Sequence, residues 1–66
     1  MTMQNTDNHA QRLGYTQTAH ITDGIIELYL LVKPDVDLDS RFKAYDTDNQ
    51  EWLTVNGWLF IDLSFI

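Results

Sequence analysis

The stretch Arg41–Ile66, RFKAYDTDNQEWLTVNGWLFIDLSFI, decides the fold, because it holds two turn signals between runs of alternating apolar residues. Asn56-Gly57 between Glu51–Val55 and Trp58–Ile66 is a strong hairpin signal, since a type I′ turn needs positive φ at both central residues. That turn sets Val55 opposite Trp58 and Leu53 opposite Phe60 on one face, with Trp52 opposite Ile61 and Thr54 opposite Leu59 on the other. Thr47-Asp48-Asn49-Gln50 has turn composition too. Closing it with Asp46 opposite Glu51 sets Tyr45 against Trp52, Ala44 against Leu53 and Phe42 against Val55. The rows agree across three strands. Both faces of the expected sheet are apolar: Phe42, Trp58 and Phe60 form the core side, and Tyr45, Trp52, Leu59, Ile61 and Leu63 project from the other. A face of that kind needs cover from barrel closure, a second copy or a target.

Upstream, Tyr15, Ala19 and Ile21 fall on one side of an alternating run, with Thr16, Thr18 and His20 on the other. Asp23-Gly24 reads as a second two-residue turn, pairing Ile21 with Ile26 and Ala19 with Leu28, so Ile26, Leu28, Leu30 and Val32 continue the buried side. The same register brings His20 to Glu27. Pro34 ends this strand because it lacks an N–H for the ladder. A connector, residues 34–40, follows. A helical spacing of Leu38, Phe42 and Tyr45 competes locally, with Asp37 as its cap. Residues 1–14 are mostly polar and without periodicity, and read as a flexible, disordered N-terminal tail ahead of a single small β domain over residues 15–66.

The expected fold class is therefore all-β: five short antiparallel strands in meander order, near Tyr15–Thr22, Ile25–Lys33, Arg41–Asp46, Glu51–Val55 and Trp58–Ile66. They would form a strongly twisted sheet or a small open barrel of SH3-like size. With 66 residues and no cysteine, the chain has neither disulfides nor thiolate metal ligands to supplement a small core.

Ten acidic residues against four basic ones give a formal charge of −6, which disfavours direct contact with nucleic acid or an anionic membrane. The longest apolar run, Leu28 to Val32, is too short to span a bilayer, and the N-terminus lacks a signal-peptide pattern, so the chain reads as cytoplasmic. Asp35, Asp37, Asp39 and Asp46 fall at positions one, three, five and twelve of a twelve-residue calcium loop. Ser40 occupies the position that requires glycine, and Asp46 the one that expects glutamate, so no metal site is expected. No cofactor site, phosphate-cradling glycine loop or nucleophile–base pair can be assembled, and catalysis is not expected. Asp62 interrupts the last strand as an edge charge would.

What remains is a surface. The expected function is a non-enzymatic acidic protein-binding module whose partner carries a basic surface. One narrower form is an inhibitor that occupies a basic nucleic-acid-binding groove, in the manner of phage or plasmid anti-restriction and anti-CRISPR proteins. The candidate partner-binding residues are Asp35, Asp37, Asp39, Asp46, Asp48 and Glu51, with Tyr45 and Trp52 as an exposed aromatic pair beside the acidic loops. The alternative is a self-associating structural or assembly component, a homodimer through the second apolar face.

Overall fold

A computed structural model describes residues 9–66. Five strands are present: β1 (Gln17–Thr22), β2 (Glu27–Val32), β3 (Arg41–Asp46), β4 (Glu51–Asn56) and β5 (Asp62–Phe65). All pair antiparallel in one open sheet of order β4-β3-β2-β1-β5. The expected all-β architecture of five antiparallel strands is what forms, and β1 to β4 follow one another as a meander.

The β3–β4 register matches the sequence reading, with Phe42↔Val55, Ala44↔Leu53, Tyr45↔Trp52 and Asp46↔Glu51. The β1–β2 hairpin differs. Its pairs are Ile21↔Leu28 and Thr22↔Glu27, so the loop spans four residues, not two. The Asp23 carboxylate accepts the N–H groups of Ile25 and Ile26 at 2.9 and 3.0 Å, and Thr22 Oγ1 accepts Gly24 N–H and donates to the Ile26 carbonyl. Asp23 thus closes an Asx-type loop through its side chain, a geometry that competes with the tight Asp-Gly turn. The shift of two residues preserves parity, so the strand residues keep their expected faces, but Ile26, expected on the buried side, falls in the loop and is 52% exposed.

The larger correction concerns Asn56-Gly57. No hairpin forms there: Asn56 is extended (φ −96°), Gly57–Leu59 is a 3₁₀ turn, and β5 pairs with β1 at the far edge of the sheet. Gly57 is demanded by close approach, not by positive φ. Its N–H donates to the Ser40 carbonyl at 2.9 Å, and an added Cβ would overlap the Leu38 carbonyl oxygen and lie 2.8 Å from its carbon.

This crossing reveals how the sheet folds. Thr18, Leu31 and Tyr45 share a row, from which Thr22 lies four residues one way and Ser40 five the other. On a flat sheet those nine residues would be roughly 30 Å along the strands. Yet Gly57 is bonded to Ser40 and Ile61 N–H to the Thr22 carbonyl, and four backbone steps reach at most about 14 Å. The β3–β4 pair must therefore fold back over β1, β2 and β5. The core lies between: Ala19, Ile21, Leu30 and Val32 pack with Phe42, Ala44 and Val55, and Phe60 and Leu63 border them. Trp58, expected in that core, is 61% exposed.

The outer face is covered in part by the chain itself. The segment expected as a tail divides: residues 1–8 lie outside the described residues, while residues 9–12 are helical with Ala10 fully buried. The Ala10 carbonyl accepts the N–H groups of Leu13 and Tyr15. Tyr15 then meets the Trp52 ring edge-on, with centroids 4.9 Å apart. Alternation sets Tyr15 with Ala19, but Tyr15 precedes β1 and turns to the opposite side, against Trp52.

Candidate protein-binding surface

The connector between β2 and β3 is built by its alternation. Val36 and Leu38 pack against the core, so the interleaved Asp35, Asp37 and Asp39 are driven outward into solvent. Local bonds fix this shape. Val36 N–H reaches the Lys33 carbonyl, Asp37 Oδ1 accepts Asp39 N–H at 3.0 Å, and the Ser40 N–H and hydroxyl both donate to the Asp37 carbonyl. Asp37 does act as a cap, but for a single turn: β3 begins at Arg41, so the helical spacing through Phe42 and Tyr45 is not used.

At the other end of β3, Asp46 is buried, and its carboxylate accepts the N–H groups of Asp48 and Asn49 and the Asn49 side-chain amide. This is loop-closing chemistry, and it removes Asp46 from the surface. Asp48 and Glu51 remain exposed. The two acidic clusters are thus separated by the length of β3, about 17 Å for a six-residue strand. They do not form one continuous patch.

The expected Tyr45–Trp52 surface pair is also relocated. Tyr45 is 3% exposed, and Trp52 is half-buried between Tyr45, at 4.8 Å, and Tyr15. Lys43 Nζ lies 5.0 Å from the Trp52 ring centroid, and Lys33 Nζ 5.4 Å from that of Tyr15. These contacts are cation–π interactions that hold two of the four lysines and arginines on aromatic faces. Tyr45 and Trp52 are therefore wall residues of this small fold.

The electrostatic consequence follows directly. Nine of the ten acidic residues lie among the described residues, and none of them forms an ion pair with Lys or Arg. The one ion-pair geometry among these residues joins His20 Nε2 to Glu27 Oε1 at 2.9 Å, as expected, although the two are diagonal neighbours because His20 stands opposite Tyr29. Donation from the backbone N–H groups of Ile26 and Ile25 holds the Asp23 carboxyl below the ordinary carboxylate range, so this turn stays charged.

The described residues enclose no pocket, and no three of their His, Asp or Glu side chains converge to hold a metal ion. No helix among them is long and apolar enough to cross a membrane.

Leu59 and Ile61, expected on the second apolar face, are exposed, and with them stand Ile25, Ile26 and Trp58, whose exposure the alternation does not predict. The signal was present. A last segment apolar on both faces cannot bury both on a single sheet edge, and here Phe60 and Leu63 go inward while Trp58, Leu59 and Ile61 stay out.

Compared with known protein families, curated proteins and solved structures, the chain matches none of them. Any function must be argued from this surface.

Proposed function

We propose that this protein is a non-enzymatic binding module that docks on the basic surface of another protein. The observation that supports it most is the uncompensated acidic shell. Asp35, Asp37, Asp39, Asp48 and Glu51 are exposed at the two ends of β3, while Lys33 and Lys43 are drawn to aromatic rings and not to carboxylates. Unpaired surface charge of one sign steers association with a partner of opposite sign. A partner whose basic groove normally holds nucleic acid fits this chemistry, and the module would then act as an inhibitor by occupancy.

The test is capture from an extract of the source cell, using wild type and a variant with Asp35, Asp37, Asp39 and Asp48 all changed to Asn. Retention of a basic protein that is released by salt, lost in the variant and displaced by duplex DNA supports groove occupancy. Salt-released retention that DNA does not displace leaves a general binding module. Partners that bind both forms equally at high salt would refute the electrostatic basis.

A further inference from the structure

Of the nine large apolar side chains exposed among the described residues, five lie at the crossing and the β1–β2 loop: Ile25 is 91% exposed, Ile61 75%, Leu59 65%, Trp58 61% and Ile26 52%. They come from two distant parts of the chain that the crossing brings together. Ile61 N–H donates to the Thr22 carbonyl, and Ile61 Cδ1 lies 3.2 Å from where a Cβ on Gly24 would stand, against the loop that carries Ile25 and Ile26. Trp58 and Leu59 are exposed on the same short crossing, between Ile61 and the connector, where Gly57 is bonded to Ser40. Single exposed apolar residues are ordinary; a contiguous set marks an interaction site.

We propose that this ridge receives an amphipathic cationic segment of another protein, with its apolar side chains on the ridge and Lys or Arg residues at both ends. The inference rests on the function proposed above and names where the partner docks. Charge chooses the occupant. At one end the ridge adjoins Asp23, held ionised by its loop, and Asp62, opposite Thr22. At the other it adjoins Asp37 and Asp39 of the connector. Arg41 and Lys43 alternate with Phe42 and Ala44 and so lie on the face of β3 away from the core; Arg41, opposite Asn56, stands beside the start of the crossing but on that outer face. A second copy would bring like-charged ends together, at −6 per chain, and an anionic membrane would meet the same repulsion. The length agrees as well: the crossing from Gly57 to Ile61 spans at most about 14 Å, close to the roughly 11 Å of two helical turns. Anchors at i, i+3 or i+4, and i+7 on a helix would cover it.

The experiment uses two fluorescent peptides of about 14 residues, roughly four helical turns: an amphipathic Leu/Lys helix and a Lys/Ser peptide of equal charge. Each is titrated against wild type and against Leu59→Ser/Ile61→Ser, both exposed positions whose change should leave the melting temperature intact. Wild type is expected to bind the Leu/Lys peptide about tenfold or more tighter than Lys/Ser. The double variant should lose that margin while keeping the salt dependence, and Ile25→Ser, at the most exposed position, should weaken binding independently if the double variant proves unstable. Equal binding of both peptides with a salt dependence would overturn the ridge and leave the electrostatic function standing. Binding of neither would overturn both. A wild-type dimer that the double variant dissociates would assign the ridge to a second copy and refute the cationic segment.

Discussion

Gly57→Ala separates the observed crossing from the Asn-Gly hairpin. An added methyl would overlap the Leu38 carbonyl and approach the Ser40 carbonyl at 3.1 Å; both are backbone atoms, so the connector itself must move. Displacing a packed segment costs typically about 1–3 kcal/mol, and loss of the Gly57–Ser40 hydrogen bond adds about 1 kcal/mol. The sum, about 2–4 kcal/mol, is a large share of the roughly 3–10 kcal/mol available to a chain of this size. At about 4–8 °C per kcal/mol for small domains, the melting temperature should fall by about 8–32 °C. Circular dichroism melts of wild type, Gly57→Ala, Gly57→Val and Gly57→Asn give the comparison. In a type I′ turn asparagine is tolerated, because it adopts positive φ readily. At a close-packed glycine it is as damaging as alanine. A Gly57→Asn protein that melts like wild type, alongside a destabilised Gly57→Ala, would refute the crossing.

Asp46→Ala should cost about 1–3 kcal/mol in urea unfolding by leaving the β3–β4 loop donors without their acceptor, whereas Asp48→Asn should be neutral; equal effects would contradict the assignment of Asp46 to the fold. Asp23, with its folded pKa held below the ordinary value, contributes stability that is present above the usual carboxylate range and lost as pH falls through the lowered value. The stability gap between wild type and Asp23→Ala should therefore shrink on acidification below about pH 4, near the unperturbed value, and a gap constant with pH would refute that role. Ala10→Arg, at a fully buried position, should dislodge residues 9–14 and expose Trp52. In a Trp58→Phe background, its fluorescence should shift to the red, and an unchanged spectrum would contradict the packed segment.

Alternation alone was enough to place Ala19, Ile21, Leu30, Val32, Phe42, Ala44 and Val55 on one buried face, because parity survives a two-residue change in loop length. The β3–β4 register was legible for the same reason, helped by a four-residue loop whose Asp46 closes it locally. The destination of β5 was not. Glycine at a tight turn and glycine at a close backbone approach look alike in sequence, and the partner that distinguishes them here, the Leu38–Ser40 backbone, is remote along the chain. The acidic connector was visible as a surface feature from its Asp-apolar alternation. For Tyr45 and Trp52 the sequence leaves wall and partner surface open, and the wall prevails because Tyr15, ahead of the first strand, meets Trp52, which packs on Tyr45. The exposed ridge exists only once the crossing is known.

The position of β5 determines both the core and the ridge, so it is best measured directly. Cross-strand nuclear Overhauser contacts in isotopically labelled protein distinguish the two pairings. The observed register predicts contacts of Ala19 with Phe65, Ile21 with Leu63 and Thr22 with Asp62. Contacts pairing Val55 with Trp58 and Leu53 with Phe60 in a continuous β4–β5 ladder would contradict it, and with it the ridge proposed to receive a cationic segment.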